Sequence, residues 1–91
     1  MLSEKISNAV EEFKAAVYEK DILSPKTQYL ISLAVSAAIS CEPCMKSNYQ
    51  AAKECGASEA EISSAIGIAI YISSGKCRSY ASMAIEELER G

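Results

Sequence analysis

The 91-residue sequence predicts an all-α fold, a compact domain of about five helices. Three observations support this fold class. Apolar residues recur three and four positions apart in successive segments, which places them on one face of a helix. Serine, proline and glycine stand where these segments begin and end, and no stretch alternates apolar and polar residues as a half-buried strand does. A chain of this length forms one domain, residues 1–91.

The first predicted helix is amphipathic. Ser3 is a good N-cap ahead of acidic residues in the first turn. The residues that share one apolar face are Ile6, Val10, Phe13 and Val17. The segment that follows, residues 21–26, breaks this pattern and ends the helix.

A second helix is predicted to begin at Ser24 and Pro25, because serine caps a helix and proline fits its first turn. It is expected to run to about Ser40. Its residues are apolar nearly all round, namely Leu30, Ile31, Leu33, Ala34, Val35, Ala37, Ala38 and Ile39. A helix of this kind is typically buried, so we expect it to be the most buried segment.

Pro43 predicts a bend before the third helix. Its ring removes a backbone donor and disfavours the helical conformation at Glu42, so the chain must turn at residues 40–42. The third helix is predicted to run from this bend to about Cys55, where Gly56 stops it.

Two further helices are predicted after Gly56. Ser58 and Glu61 have the spacing of a capping box for a fourth helix, which carries Ile62, Ala65, Ile66, Ala69 and Ile70. Ser74 and Gly75 form a predicted break. A last helix then carries Tyr80, Met83, Ala84, Ile85 and Leu88.

Charge and hydropathy exclude several classes of partner. The net charge is −3 and the basic residues are scattered among acids, so no cationic face is available for nucleic acid or an anionic membrane. The longest apolar-rich stretch, residues 29–39, is too short for a bilayer core of ~30 Å. The start of the sequence lacks the pattern of a secretory signal. We therefore expect a cytoplasmic protein with no membrane partner.

The apolar content predicts self-association. Apolar residues make up 49% of the chain. A domain this short buries only about 60–65% of the surface that its unfolded chain exposes. The apolar surface therefore exceeds what one small monomer hides, and we expect a homo-oligomer.

The motif Cys41-Glu-Pro-Cys44 is the main indication of function, because two thiols at the start of a helix can cycle between dithiol and disulfide. Cys41, Cys44 and Asn48 fall on one stripe of the third helix, so the two sulfurs can meet. As N-cap, Cys41 would place its sulfur near the backbone N–H of Cys44. The positive end of a helix dipole lowers a thiol pKa from about 8.5 into the ~3.5–7.5 range. Cys41 and Cys44 are the candidate catalytic residues.

The other two cysteines lie outside this candidate site. Cys55 is eleven residues beyond Cys44, roughly 16 Å along the helix axis, whereas a disulfide needs Cα atoms about 4.4–6.8 Å apart. The same offset disfavours a zinc site completed by Cys77. We expect Cys55 and Cys77 to be small core or interface residues. No metal is predicted, and no motif marks a flavin, nicotinamide or haem cofactor.

The run from Leu23 to Ile62 resembles the core of the AhpD-like alkylhydroperoxidase branch of the carboxymuconolactone decarboxylase family. The similar residues are the Leu-Ser-Pro-Lys-Thr helix start, the Cys-x-x-Cys after an apolar helix, the Ala-Ala-x-x-x-Gly-Ala-Ser-x-x-Glu-Ile continuation, and the spacing between these motifs. The resemblance extends over about residues 23–72. It implies an all-helical fold, trimers or hexamers, and a redox pair that reduces small hydroperoxides or exchanges with a partner dithiol protein.

The sequence departs from that branch at two positions. Members with the peroxidase motif carry a histidine four residues after the second cysteine and a glutamate twelve before the first, which relay a proton to the thiol. Asn48 and Tyr29 stand there, and the chain contains no histidine. Loss of a general base typically costs about 10²–10⁴-fold in rate. Tyr29 and Asn48 remain supporting candidates as hydrogen-bond partners, and Glu42 as a nearby acid whose charge would also raise a thiol pKa.

We predict a thiol–disulfide redox protein that favours dithiol exchange, because exchange needs a thiolate and an accessible sulfur but no separate relay. Weak peroxide reduction stays open. So do a non-catalytic oligomeric or ligand-binding role and a carboxymuconolactone decarboxylase-like activity, although no acid and base pair supports the latter. The attacking sulfur is also open, since exposure at the helix end favours Cys41 and the resemblance implies Cys44.

Overall fold

The structure, a computed structural model, describes residues 1–91 and confirms the all-α fold. It contains four helices and no strand: α1 (Glu4–Val17), α2 (Pro25–Ala38), α3 (Glu42–Glu54) and α4 (Glu59–Arg90). Short connections join them, which is typical of a helical domain whose neighbouring helices pack side by side.

The predicted helix starts are confirmed by their capping bonds. Ser3 Oγ accepts the backbone N–H of Ile6 at 3.2 Å, and Ser24 Oγ accepts that of Thr27 at 3.2 Å. At the start of α4, Ser58 Oγ accepts the N–H of Glu61 at 3.1 Å. The Glu61 carboxylate in turn accepts the N–H of Ser58 at 2.9 Å, which completes the capping box.

The predicted break at Ser74 and Gly75 is wrong. The chain continues through both residues as one helix of 32 residues, so the fold has four helices rather than about five. An isolated glycine costs a helix only about 1 kcal/mol relative to alanine, and the surrounding residues sustain the hydrogen-bond ladder. Ser74 turns its hydroxyl back into the helix and donates to the carbonyl of Tyr71 at 2.8 Å.

The core forms where α2 packs against α3 and α4. Leu33 is only 1% exposed, and it clusters with Ala52, Ala57 and Ile62. Residues packed around this cluster include Tyr29, Leu30, Met45 and Ile66. The position of α2 agrees with the prediction that it is the most buried segment.

Two turns carry the chain from α2 into α3 and from α3 into α4. Ile39 caps α2, and Ser40 then adopts a left-handed conformation with φ of 58°. This reverses the chain just ahead of Cys41. After α3, Gly56 has φ of +89°, a conformation that side chains other than glycine rarely adopt.

Two ion pairs hold the start of α4 to the helices beside it. Lys53 Nζ lies 2.7 Å from Glu59, and this hydrogen bond lowers the pKa of Glu59 and raises that of Lys53. Lys26 Nζ lies 2.9 Å from Glu61. The backbone N–H of Ser58, followed by Lys26, lowers the pKa of Glu61.

Much apolar surface remains uncovered on α1 and α4. Helix α1 buries no residue, and Phe13 is 72% exposed. The accessible surface is 7185 Å², against about 5,100 Å² for a typical folded monomer of this mass. The radius of gyration is 17.9 Å, against about 12 Å for a compact domain of this length. The single chain therefore leaves α1 and the second half of the long helix α4 largely unpacked.

No helix combines the length and the apolar character that a bilayer crossing requires. No group of three or more His, Cys, Asp or Glu side chains lies close enough together to hold a metal ion.

Candidate redox site

Cys41 and Cys44 form a disulfide at the first turn of α3. The S–S distance is 2.04 Å and the Cα atoms are 5.2 Å apart. Cys41 is the N-cap, with φ of −98° and ψ of 97°, and Pro43 occupies the first turn. The bend that Pro43 predicts therefore brings the two sulfurs together, as the spacing on one stripe of the helix requires.

The sulfur of Cys41 also accepts the backbone N–H of Cys44 at 3.3 Å. This N–H is one of the donors that no carbonyl within the helix can reach. When the disulfide opens, the same donor and the helix dipole favour a negative charge on Cys41. The N-cap position of Cys41 is therefore suited to a negatively charged sulfur.

Ser36 fixes both ends of the motif from α2. Its carbonyl accepts the backbone N–H of Cys41 at 3.0 Å. Its hydroxyl accepts a hydrogen bond from the Asn48 side-chain amide at 3.0 Å and donates to the carbonyl of Ser32 at 2.7 Å. Ser36 is only 3% exposed. It is a functional candidate that the sequence analysis missed, and its only signal was a polar residue within an apolar helix.

The polar contacts continue from Ser36 along α2. The hydroxyl of Ser32 donates to the carbonyl of Gln28 at 2.9 Å and also bonds the phenol of Tyr18. Gln28 is buried and donates from its side-chain amide to the carbonyl of Glu19 at 2.6 Å. A line of hydrogen bonds therefore connects Asn48 on α3 with Tyr18, the residue that caps α1.

A cavity of about 430 Å³ lies on the Cys44 side of the disulfide. The rings of Tyr18 and Tyr29 stack in it, with centroids 5.1 Å apart and planes inclined by 18°. Its lining residues are Lys14, Tyr18, Tyr29, Pro43, Cys44, Ser47, Asn48 and Ala51. Cys41 is not among them, so the cavity borders the disulfide on the side of Cys44.

The structure brings two of the three supporting candidates to this cavity. Tyr29 and Asn48 line it together with Cys44. Glu42 lies outside it and forms an exposed ion pair with Lys46, with 3.1 Å between the charged atoms. A carboxylate in that position is solvated and neutralised by its neighbour, as expected for an acid in the first turn of a helix.

The remaining cysteines stay apart from the site. Cys55 caps the C-terminus of α3 and is half-buried, while Cys77 is exposed on α4. Both are free thiols.

Comparison with known proteins identifies the family. The model of the carboxymuconolactone decarboxylase family matches residues 4–87, nearly the whole chain. The chain belongs to this family. The Cys41–Cys44 disulfide is therefore a feature of a member of the carboxymuconolactone decarboxylase family.

A crystal structure of a protein from Methanobacterium thermoautotrophicum is similar to this family member throughout. The TM-score is 0.84 and the sequences are 28% identical. The similarity covers 91% of this chain and 95% of the other. A search of curated proteins found no match to the sequence.

Proposed function

We propose that this protein is a thiol–disulfide exchange protein of the AhpD-like branch, with Cys41 and Cys44 as its reversible pair. The observation that carries the proposal is the position of the disulfide, which caps a helix on one side and borders a cavity on the other. An incoming thiolate needs access to one sulfur, and the departing sulfur needs stabilisation as a thiolate. The two sides of this disulfide supply those two requirements.

The first step is attack by a substrate thiolate on the sulfur of Cys44, the half of the disulfide that lines the cavity. A bond forms between the substrate sulfur and Cys44 as the bond between Cys44 and Cys41 breaks. The electron pair of that bond stays on Cys41, which leaves as a thiolate. The N–H of Cys44, already bonded to this sulfur at 3.3 Å, stabilises the charge and makes Cys41 a better leaving group.

The second step releases the product. The second thiol of the substrate, as its thiolate, attacks the substrate sulfur of the mixed disulfide, and Cys44 leaves. The substrate dithiol is oxidised to a disulfide, and two electrons pass to the cysteine pair. Its two protons end on Cys41 and Cys44 or in the solvent. In the opposite direction, Cys44 attacks a substrate disulfide and Cys41 resolves the mixed disulfide.

The residues around the motif support exchange over peroxide reduction. No histidine is present, and the Asn48 amide is held as a hydrogen-bond donor to Ser36. An amide does not exchange protons near neutral pH, so it does not replace a general base. Hydroperoxide reduction, in which the two thiols yield an alcohol, water and the disulfide, is proposed only as a slower activity. The cavity beside Cys44 would give a small hydroperoxide access to this cysteine, which supports that slower activity.

Two alternative functions, a decarboxylase-like enzyme and a non-catalytic protein, do not require a reversible cysteine pair. A carboxymuconolactone decarboxylase-like enzyme does not need them, so replacing both by serine would leave its activity intact. A non-catalytic oligomeric or ligand-binding protein would keep its helices without redox cycling. The cavity holds no acid and base pair, since Lys14 is its only charged residue. This composition disfavours decarboxylase chemistry.

Mass spectrometry of the full chain tests the proposal. The reduced protein, mixed with excess bis(2-hydroxyethyl) disulfide, is expected to lose two hydrogens per chain as the reagent is reduced to two thiols, with the new bond mapped to Cys41 and Cys44. Reduced dithiothreitol should reverse the change. The Cys55→Ser/Cys77→Ser variant should cycle as the wild type does. The proposal fails if the bond maps to Cys55 or Cys77, or if Cys41 and Cys44 remain reduced.

We also propose that the protein works as a cytoplasmic homo-oligomer, in the trimers or hexamers that the resemblance implies. About 2,000 Å² of surface beyond that of a typical monomer supports this, because a stable interface buries roughly 800 Å² per partner. The exposed apolar face of α1 is the proposed contact. A cytoplasmic location would supply the reducing partners that a cycling disulfide needs.

A further inference from the structure

The charge inside the redox cavity is opposite to that of the whole protein. The chain has a net charge of −3, yet the cavity lining includes one charged side chain, Lys14, and no carboxylate. The ammonium group of Lys14 forms no ion pair within the chain, in contrast to Lys26, Lys46 and Lys53. The only formal charge offered to a ligand beside Cys44 is therefore positive.

The first turn of α3 adds to this positive potential. Pro43 and Cys44 lie at the N-terminal end of α3, where the positive end of the helix dipole favours a negative ligand. The Asn48 amide and the Ser47 hydroxyl supply neutral polar groups in the same cavity. A carboxylate within this cavity would meet a cation and no competing anion.

The aromatic residues of the cavity provide an apolar surface beside the positive charge. Tyr18 and Tyr29 stack with their centroids 5.1 Å apart, and the phenol of Tyr18 is fixed by its hydrogen bond to Ser32. Stacked rings offer a rigid apolar surface that binds flat or apolar groups with little loss of side-chain freedom. A volume of about 430 Å³ suits a small organic molecule.

We propose that this cavity binds small organic anions with a flat or apolar body, and that Lys14 selects the negative group. The inference rests on the proposed exchange function, since it names the class of thiol or disulfide that reaches Cys44. Binding would place the apolar body against Tyr18 and Tyr29, and the anionic group at Lys14. Lys14 acts here as a specificity-determining residue on α1.

Binding is tested on the oxidised full chain with benzoate and its neutral analogue benzamide. Amide signals of Cys44, Ser47 and Asn48 are followed by nuclear magnetic resonance during titration. Benzoate is expected to bind roughly two- to fivefold more tightly than benzamide, the range of one exposed ion pair. Lys14→Gln should remove that preference. The matched control Lys5→Gln makes the same charge change on the same helix, outside the cavity, and should preserve it.

Substrate selection is tested on the reduced Cys55→Ser/Cys77→Ser variant, in which only the motif thiols can react. The anionic aromatic disulfide dithiobis(nitrobenzoate) is compared with the neutral dithiodipyridine. Lys14→Gln in this background should slow the anionic reagent roughly two- to fivefold and leave the neutral one unchanged. Added salt should slow the anionic reaction of the parent variant.

The inference is overturned if benzoate and benzamide bind equally, if the signals that shift lie away from Cys44, or if Lys5→Gln has the effect of Lys14→Gln. The exchange function fails separately. In that case Cys41 and Cys44 do not cycle with bis(2-hydroxyethyl) disulfide and reduced dithiothreitol, neutral reagents whose reactions do not depend on Lys14.

Discussion

The side-chain amide of Asn48 donates to the hydroxyl of Ser36 across the contact between α3 and α2, at 3.0 Å. The carbonyl of the same serine accepts the backbone N–H of Cys41. One buried residue therefore contacts the motif at its first cysteine and the helix one turn after its second. The Cys41–Cys44 pair is therefore positioned by α2 as well as by its own helix.

We expect Ser36→Ala to lower the free energy of unfolding by about 1–3 kcal/mol, because the Asn48 amide loses its partner in a partly buried position. A double-mutant cycle with Asn48→Ala, measured by urea denaturation, should give a coupling of about 0.5–1.5 kcal/mol. The exposed Ser63→Ala serves as control and should change stability by no more than about 0.5 kcal/mol. Additive effects of the two substitutions would contradict the contact.

The two cysteines should differ in their ability to form a mixed disulfide. In Cys41→Ser the thiol of Cys44 remains and the resolving thiol is lost. Cys44 attacks a substrate disulfide and releases one substrate thiol, so a long-lived adduct with the other substrate sulfur is expected. Cys44→Ser should accumulate about tenfold less adduct under the same conditions. Intact-protein mass spectrometry measures both. Equal or reversed yields would contradict the assignment of Cys44 as the sulfur that reacts with substrate.

Phe13→Glu should weaken self-association. Burial of a phenylalanine side chain is worth about 1.5–3 kcal/mol, so its replacement by a charge should raise the dissociation constant at least about tenfold. Light scattering over a range of protein concentrations measures the mass of the particle. Lys5→Gln makes the same change in net charge on the same helix and should leave the mass unchanged. A wild-type protein that is already monomeric would refute the proposed oligomer.

Two glycines should respond to alanine with opposite signs. Gly75 lies inside α4, and an added Cβ would meet only the Arg78 side chain at 3.6 Å, an ordinary contact. Gly75→Ala should raise the free energy of unfolding by about 0.5–1 kcal/mol. Gly56→Ala should lower it by about 1–2 kcal/mol, because its φ of +89° strains a side-chain-bearing residue although nothing lies within 4 Å. Thermal unfolding compares them. A loss of stability in Gly75→Ala would indicate a broken helix.

Glu61 should contribute to acid sensitivity. Its lowered pKa means that the folded carboxylate binds a proton less readily than the unfolded one. Its stabilising effect is therefore full above the ordinary glutamate pKa of about 4.3 and is lost as pH falls through the lower folded value. Denaturation at a series of pH values should show that Glu61→Gln destabilises the protein at neutral pH and has less effect in acid. Glu89→Gln, near the end of α4, is the control. Parallel pH profiles for wild type and Glu61→Gln would contradict this role.

Local signals in the sequence were sufficient to predict the helix starts and the disulfide. Ser3, Ser24 and Ser58 cap helices whose first turns lie directly beside them, so the chemistry is complete within a few residues. The same holds for Cys41 and Cys44, whose spacing brings the sulfurs together once α3 forms. Such contacts do not depend on how the rest of the chain folds.

Two kinds of feature were missed by sequence reasoning. Some depend on contacts between helices, and one depends on whether the hydrogen bonds of a long helix outweigh the local cost of a glycine. Ser36 meets Asn48 twelve residues away on another helix, and no local pattern encodes that pairing. The stacking of Tyr18 on Tyr29, which builds the cavity, likewise joins separate segments. The predicted break at Gly75 failed because its local cost is smaller than the cost of interrupting α4 there.

The disulfide closes a loop that lies wholly within one helical turn. A cross-link between residues three apart restricts the unfolded chain little, by about 2 kcal/mol in the chain-entropy model, compared with about 3 kcal/mol for a loop of 15 residues. The core at Leu33 and the bonds of Ser36 do not run through the sulfurs. Opening the disulfide therefore removes little of what stabilises the fold, and the exchange proposed for this pair does not require the chain to unfold.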